Sequence, residues 1–341
     1  MSPSLVLRRL MQLLPPLLLI SALPTALPAA TCNPDDKRAL LQLKKALGDP
    51  HTLVTWTADT DCCTQWFAMD CDPNNGRITS LHIYESDAAG SLSSSIGDLP
   101  YLDTLTFRMS PNLTGPLPPE LSKLAKLQTL WMDWNSLTGP VPAFLGRMTR
   151  LSYINISFNK LSGFIPPSLG QLPQLMALYL DDNRLKGTIP ASLGRLRRPT
   201  GIYIGLSHNH LTGPVPPSFK NLNIIRIDLS RNQISGDPSV LFKTGDRSAM
   251  SLSIDLSRNQ LEFDLSKANF SSNLWRLDLS HNRVYGNIPA PLAAIEDLES
   301  LNLSYNWLCG EIPQGGVFNQ ISKLELLHNK CLCGQPLPPC K

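Results

Sequence analysis

The chain has 341 residues, of which 42% are hydrophobic and 17% charged, with a formal net charge of +3. That apolar content excludes a disordered chain, which cannot bury enough surface to fold. The modest charge speaks against a nucleic-acid binder, for which a strongly basic domain is expected.

Residues 1–30 read as a secretory signal peptide. Arg8 and Arg9 precede a Leu-rich run from Leu10 to Leu23, which Pro15 and Pro16 break. Ala29 and Ala30 then offer a cleavage point before Thr31. The run is too short and too Pro-broken to span ~30 Å of hydrocarbon comfortably, and no later stretch approaches ~18 uninterrupted apolar residues. The expectation is a secreted, soluble protein without a transmembrane segment.

Residues 31–75 read as an N-terminal cysteine cap. "CNPDDKRALLQLKKAL" predicts a helix with Asn33 as N-cap and Pro34 as its first residue. Ala39, Leu40, Leu43 and Leu47 form its apolar stripe. The eight cysteines fall into two groups, Cys32, Cys62, Cys63 and Cys71 at the start and Cys309, Cys331, Cys333 and Cys340 at the end. An even count in a secreted chain implies disulfides. Zinc is disfavoured because Cys-x-x-Cys pairs with partnered His are missing, and no cofactor is expected. Each group allows three pairings. The preferred set is Cys32–Cys62, Cys63–Cys71, Cys309–Cys331 and Cys333–Cys340.

Residues 76–308 repeat one skeleton, as in "LYLDDNRLKGTIP". Its marker asparagine recurs at Asn135, Asn159, Asn183, Asn209, Asn232, Asn259, Asn282 and Asn306, spaced by 24, 24, 26, 23, 27, 23 and 24 residues. Two upstream units, around Leu81 and Leu105, bring the count to ten. This period predicts a right-handed leucine-rich repeat solenoid of the α/β class. In each unit two apolar residues two apart face the core from a short strand, stacked strands form a parallel sheet on the concave side, and the asparagines form a ladder. Gly187 marks a tight backbone position. Residues 309–341 form the C-terminal cysteine cap, since an open stack exposes core at both ends.

Strand positions between the core residues point into the concavity. In units three to six they include Trp131, Asp133, Trp134, Tyr153, Phe158, Tyr179, Asp181, Asp182 and Tyr203. Aromatics beside carboxylates have the composition of interface hot spots, and six on adjacent strands predict one continuous patch. Later units carry Arg226, Arg231, Arg258 and Arg276, with Lys243 and Arg247 in a neighbouring loop. Such cations suit a polymer of carboxylates. The alternative is that Asp228, Asp255 and Asp278 neutralise the arginines.

Sequons stand at Asn112, Asn155, Asn269 and Asn302. A glycan at Asn155 would stand on the aromatic patch. No phosphate loop, nucleophile elbow or His-Glu-x-x-His motif is present, so no enzymatic activity is expected.

The variant Leu-x-Gly-x-Ile-Pro, in "LTGPVP", "LSGFIP" and "LKGTIP", is typical of plant extracellular leucine-rich repeat proteins. With "IDLSRNQISGD", "LNLSYNWLCGEIPQGG" and "HNKCLCGQPLPPCK", the chain resembles the polygalacturonase-inhibiting proteins of the plant cell wall. The resemblance implies a monomer in the apoplast that blocks fungal or insect endopolygalacturonase through its concave face and adheres to wall pectin (homogalacturonan). It places partner contact at His281 and acidic contacts at Asp133 and Asp181. A second reading is a signalling module that binds a receptor ectodomain or peptide, because one fold serves both.

Overall fold

The computed structural model describes residues 31–196, 199–243 and 251–341. The expected signal peptide and Arg247 lie outside them. The helix spans Pro34–Ala46, and Asn33 caps it by accepting from the backbone N–H groups of Asp35 and Asp36. Ala39, Leu40, Leu43 and Leu47 are buried, so the helix closes the end of the stack. A buried ion pair locks it there. Arg77 donates twice to Asp36 (3.0 and 2.7 Å), and Asp36 also accepts from the Ile78 N–H at 2.8 Å.

One parallel strand per repeat follows, in unbroken chain order, from Ile78–Tyr84 to Ser300–Asn302. A short antiparallel strand, Met69–Cys71, closes the N-terminal edge of this eleven-stranded sheet. The alternation is strict. Leu130 and Met132, Ile154 and Ile156, and Leu178 and Leu180 are buried, while the residues between them face outward. Full burial of each aliphatic side chain stabilises the stack by about 2 kcal/mol. Short 3-10 turns such as Pro167–Gln171 and Ala191–Arg195 form the return limb.

The asparagine ladder is present. Asn183 accepts from the Leu161 N–H of the coil before it at 2.9 Å. Its amide donates to the Ile156, Leu180 and Asp181 carbonyls at 3.0, 3.2 and 3.1 Å. Such a buried amide satisfies backbone groups of two coils at once. The ladder also runs one rung beyond the sequence reading, to Asn329 within the C-terminal cysteine segment, which accepts from Leu308 at 3.0 Å. Backbone bonds from Leu303 and Tyr305 to Glu325 and Leu327 continue the coil there.

The residue before each ladder asparagine adopts left-handed backbone, for example Trp134 (φ 56°), Asp182 (φ 49°) and His281 (φ 56°). This breaks the alternation, so two consecutive side chains such as Asp181 and Asp182 both escape the core. A second, lateral set of short strands runs through the Leu-x-Gly segments, such as Arg184–Thr188 and His210–Gly213. All four preferred disulfides are formed: Cys32–Cys62, Cys63–Cys71, Cys309–Cys331 and Cys333–Cys340.

Candidate docking face

The concave sheet carries three outward rows, which sequence register defines. The first row aligns Thr129, Tyr153, Ala177, Tyr203, Arg226, Ser253 and Arg276. The second aligns Trp131, Asn155, Tyr179, Gly205, Asp228, Asp255 and Asp278. A third lies two residues on, with Asp133, Ser157, Asp181, Ser207 and Ser230. The left-handed residues form a file along the sheet's edge.

A rule governs the second and third rows. Where the second holds Asp or Asn and the third Ser, the carboxylate or amide oxygen accepts from the serine two residues on. Asp228–Ser230, Asp255–Ser257 and Asp278–Ser280 obey it at 3.0, 3.0 and 2.9 Å to the backbone N–H. Asn155–Ser157 and Asn302–Ser304 do the same at 3.0 and 3.1 Å. These Asx turns fasten the strand ends.

Coils three and five break the rule with the same exchange: an aromatic in the second row and an Asp in the third. Trp131 and Tyr179 are half-buried on the concave face, outside the core. Trp131, Tyr153 and Tyr179 form a file of tilted rings with centroids 5.3 and 5.9 Å apart. The six aromatics do not make one patch. Trp134 and Phe158 stack on each other at 3.9 Å in the edge file, because left-handed backbone carries them there, and Asp133 and Ser157 lie between the two files. Tyr203 is exposed.

The acids are less free than the sequence suggests. Asp133 is 4% exposed and receives two bonds from Arg108, at 2.7 and 3.2 Å. The same guanidinium sits 4.1 Å from the Trp131 ring centroid, so Arg108 braces both residues. Arg108 escapes sequence reading because it lies one coil upstream. Asp133 is therefore no acidic contact for a partner: its charge is already paired. Asp181 is also engaged. It accepts from the Ser207 N–H and Oγ, both at 2.9 Å, and from Ser157 Oγ at 3.3 Å. Gly205 makes this possible, since a Cβ there would lie 2.3 Å from Asp181 Oδ2 and 2.7 Å from Tyr179 Cδ1. Burial pushes the Asp181 carboxyl up, against the serine bonds and with help from Asp228. Burial likewise pushes the Tyr179 hydroxyl up to about 12, so it stays a neutral donor. Asp182 remains partly exposed and faces His208 Nδ1 at 3.5 Å. The Trp131 Nε1–H is buried and has no partner among the described residues.

In the later coils Arg226 and Arg276 lie 3.7 Å from Asp228 and 3.9 Å from Asp255. These long contacts, from exposed guanidinium groups to half-buried carboxylates, neutralise little. Arg231 and Arg258 are exposed in the edge file, with no ion pair among the described residues, and Lys243 is exposed. His281 stacks on Tyr305 at 4.1 Å, and Tyr305 on His328 at 4.1 Å. Burial first, then Arg258, holds the His281 ring below the usual histidine range. Tyr305 and His328 extend this file beyond what the sequence reading named. Of the sequons, Asn112 and Asn269 are exposed, Asn302 is half-buried, and Asn155 is 9% exposed with its amide oxygen spent on Ser157. A glycan at Asn155 does not fit this packing.

The Leucine rich repeat N-terminal domain model matches residues 33–72, and the Leucine Rich Repeat model matches 126–148, 150–172, 174–196, 202–222 and 297–316. The chain is 48% identical over 327 residues to polygalacturonase inhibitor 1 of Arabidopsis thaliana, covering 95% of this chain and 97% of that protein. It is 47% identical over 324 residues to the polygalacturonase inhibitor of Pyrus communis, covering 91% and 92%. The chain belongs to the polygalacturonase-inhibitor family. These two relatives are inhibitors by name, and this chain is not an enzyme. A solved plant ice-binding protein shares the fold, with a TM-score of 0.85 and 43% identity over 91% of this chain and 99% of that one. No helix among the described residues is long and apolar enough to cross a membrane.

Proposed function

We propose that this protein is secreted to the plant cell wall and inhibits an endopolygalacturonase by occluding its cleft with the concave face. The observation that carries the reading is the ring file Trp131–Tyr153–Tyr179, large apolar surface on coils whose packing does not require it. Trp134, Phe158, Asp182 and Tyr203 flank the file, and His281, four coils beyond Tyr179, completes the partner-facing set. Asp182 is the acid left to meet basic residues at the rim of a cleft built to grip an anionic polymer. Arg226, Arg231, Lys243, Arg247 and Arg258 supply cations for wall pectin. Glycans belong at Asn112 and Asn269, away from the docking rows.

The test is direct. Increasing amounts of purified protein are added to a fungal endopolygalacturonase, and reducing-end release from polygalacturonate is followed. Slowed release with a saturable dose dependence is expected. Full activity across a panel of such enzymes at micromolar inhibitor would remove the reading.

A further inference from the structure

Two thioethers bracket the ring file. Among the described residues, Met109 and Met176 are the exposed methionines, at 41% and 39%, while Met132 and Met148 are buried in the core. Methionine ordinarily serves as that second pair does, filling apolar gaps with a flexible side chain.

Met109 takes the left-handed position of coil two (φ 53°), so it enters the edge file one coil before Trp134. Its backbone N–H donates to the Asp133 carbonyl at 3.1 Å, and strand spacing puts neighbouring file members ~4.8 Å apart. Met109, Trp134 and Phe158 therefore form one apolar run, with Glu85 before it and Asp182 after it. Met109 also follows Arg108, the residue that braces Trp131 and Asp133. Met176 stands at the opposite margin of the sheet, where coils three and four carry the polar residues Gln128 and Ser152. Its N–H donates to the Ser152 carbonyl at 2.8 Å, and its carbonyl accepts from the Tyr203 N–H at 2.9 Å. The next residue, Ala177, pairs in register with Tyr153 and Tyr203. A thioether thus ends each flank of the aromatic surface.

We propose that Met109 and Met176 form an oxidant-sensitive modification site that sets how tightly the concave face holds its enzyme. The inference rests on the reading that the ring file docks an endopolygalacturonase. The oxidant is hydrogen peroxide. A sulfur lone pair attacks one peroxide oxygen, so an S–O bond forms and the O–O bond breaks. The leaving hydroxide takes the proton from the transferred oxygen and departs as water. Sulfur is oxidised to the sulfoxide and the peroxide is reduced. Before the reaction each side chain offers a supple apolar contact, of a residue type enriched at interfaces. Afterwards it carries a polar oxygen that must shed its water on docking. Burial shields Met132 and Met148, so the stack itself is spared.

The experiment treats the full chain with hydrogen peroxide, removes the residual oxidant, and then measures inhibition of a fungal endopolygalacturonase. Peptide masses are expected to show one added oxygen at Met109 and Met176 ahead of Met132 and Met148. The inhibition constant should rise about tenfold while the melting midpoint stays that of the untreated chain. Methionine sulfoxide reductases should restore it. In Met109→Leu/Met176→Leu the same treatment should change inhibition by less than about twofold, since no thioether remains on the face. Met109→Gln/Met176→Gln, which carries polar groups of similar length without any oxidant, should inhibit as weakly as the oxidised parent. Complete oxidation at both positions with inhibition unchanged would overturn the inference. An equal loss in the leucine variant, or a midpoint that falls along with inhibition, would overturn it too. If the untreated parent slows no enzyme, the inhibitor reading falls and takes this inference with it.

Discussion

Coils three to five and coils seven to nine share one backbone and differ in what their outward rows do. In the later coils Asp228, Asp255 and Asp278 each fasten a serine two residues on, so the row is consumed by the scaffold. In coils three and five the acid moves to the third row and an aromatic takes its place. Scaffold duty is then met differently, by Arg108 on Asp133 and by Ser157 and Ser207 on Asp181. The contrast teaches that a repeat's departures from its own rule mark the surface freed for a partner.

The ladder is the part the two regions have in common, and breaking it is the largest expected effect. Asn183→Ala strips partners from buried backbone groups of two coils and should cost about 3 kcal/mol by urea unfolding. Asn259→Ala, in the regular region, should cost the same within about 1 kcal/mol. A large inequality would mean the regions differ in scaffold as well as surface. Next comes Arg108→Ala, which leaves Asp133 buried without its cation. About 2 kcal/mol of stability should be lost, less than for a fully buried pair because Arg108 is partly exposed. Inhibition should weaken as well, since Trp131 loses its brace.

Tyr179→Ala should weaken inhibition by more than ~1 kcal/mol while leaving the unfolding midpoint near that of the parent. Arg276→Ala, on the same face of a regular coil, should leave inhibition unchanged. Equal effects would dissolve the contrast. The smallest effect concerns pH. The folded-state Asp181 carboxyl titrates above its unfolded value, so the folded protein binds the proton more tightly. Above the raised value the ionised group therefore costs stability, and that cost fades as pH falls through it. Asp181→Asn, which keeps an acceptor for Ser207, should be as stable as the parent or more so at neutral pH. That advantage should shrink on acidification in a melting series.

The period, the capped helix and the asparagine ladder were legible in the chain, because each is local or strictly recurrent, whereas the cysteines showed two groups with three pairings open in each. Asp133 and Asp181 read as acidic contacts because their partners lie one coil away: Arg108 follows no motif, and Ser207 holds the recurrent serine position without an acid of its own coil to fasten. The burial of Asp181 further depends on Gly205, whose role is the space it leaves. The two ring files merged in the sequence reading because the left-handed turn at Trp134 and Phe158 follows from the ladder and not from strand alternation. Asn329 was hidden because it sits among the terminal cysteines. The lateral strands are too short, at two to five residues, to show a period of their own.

One double substitution tests the central claim most directly. Tyr179→Asp with Asp181→Ser rewrites coil five to the Asp-Leu-Ser rule of coil seven, and its inhibition constant and unfolding midpoint are measured together. The account predicts a midpoint equal to the parent's or higher, with inhibition weakened by about tenfold or more. Full inhibition in a stably folded variant would contradict it.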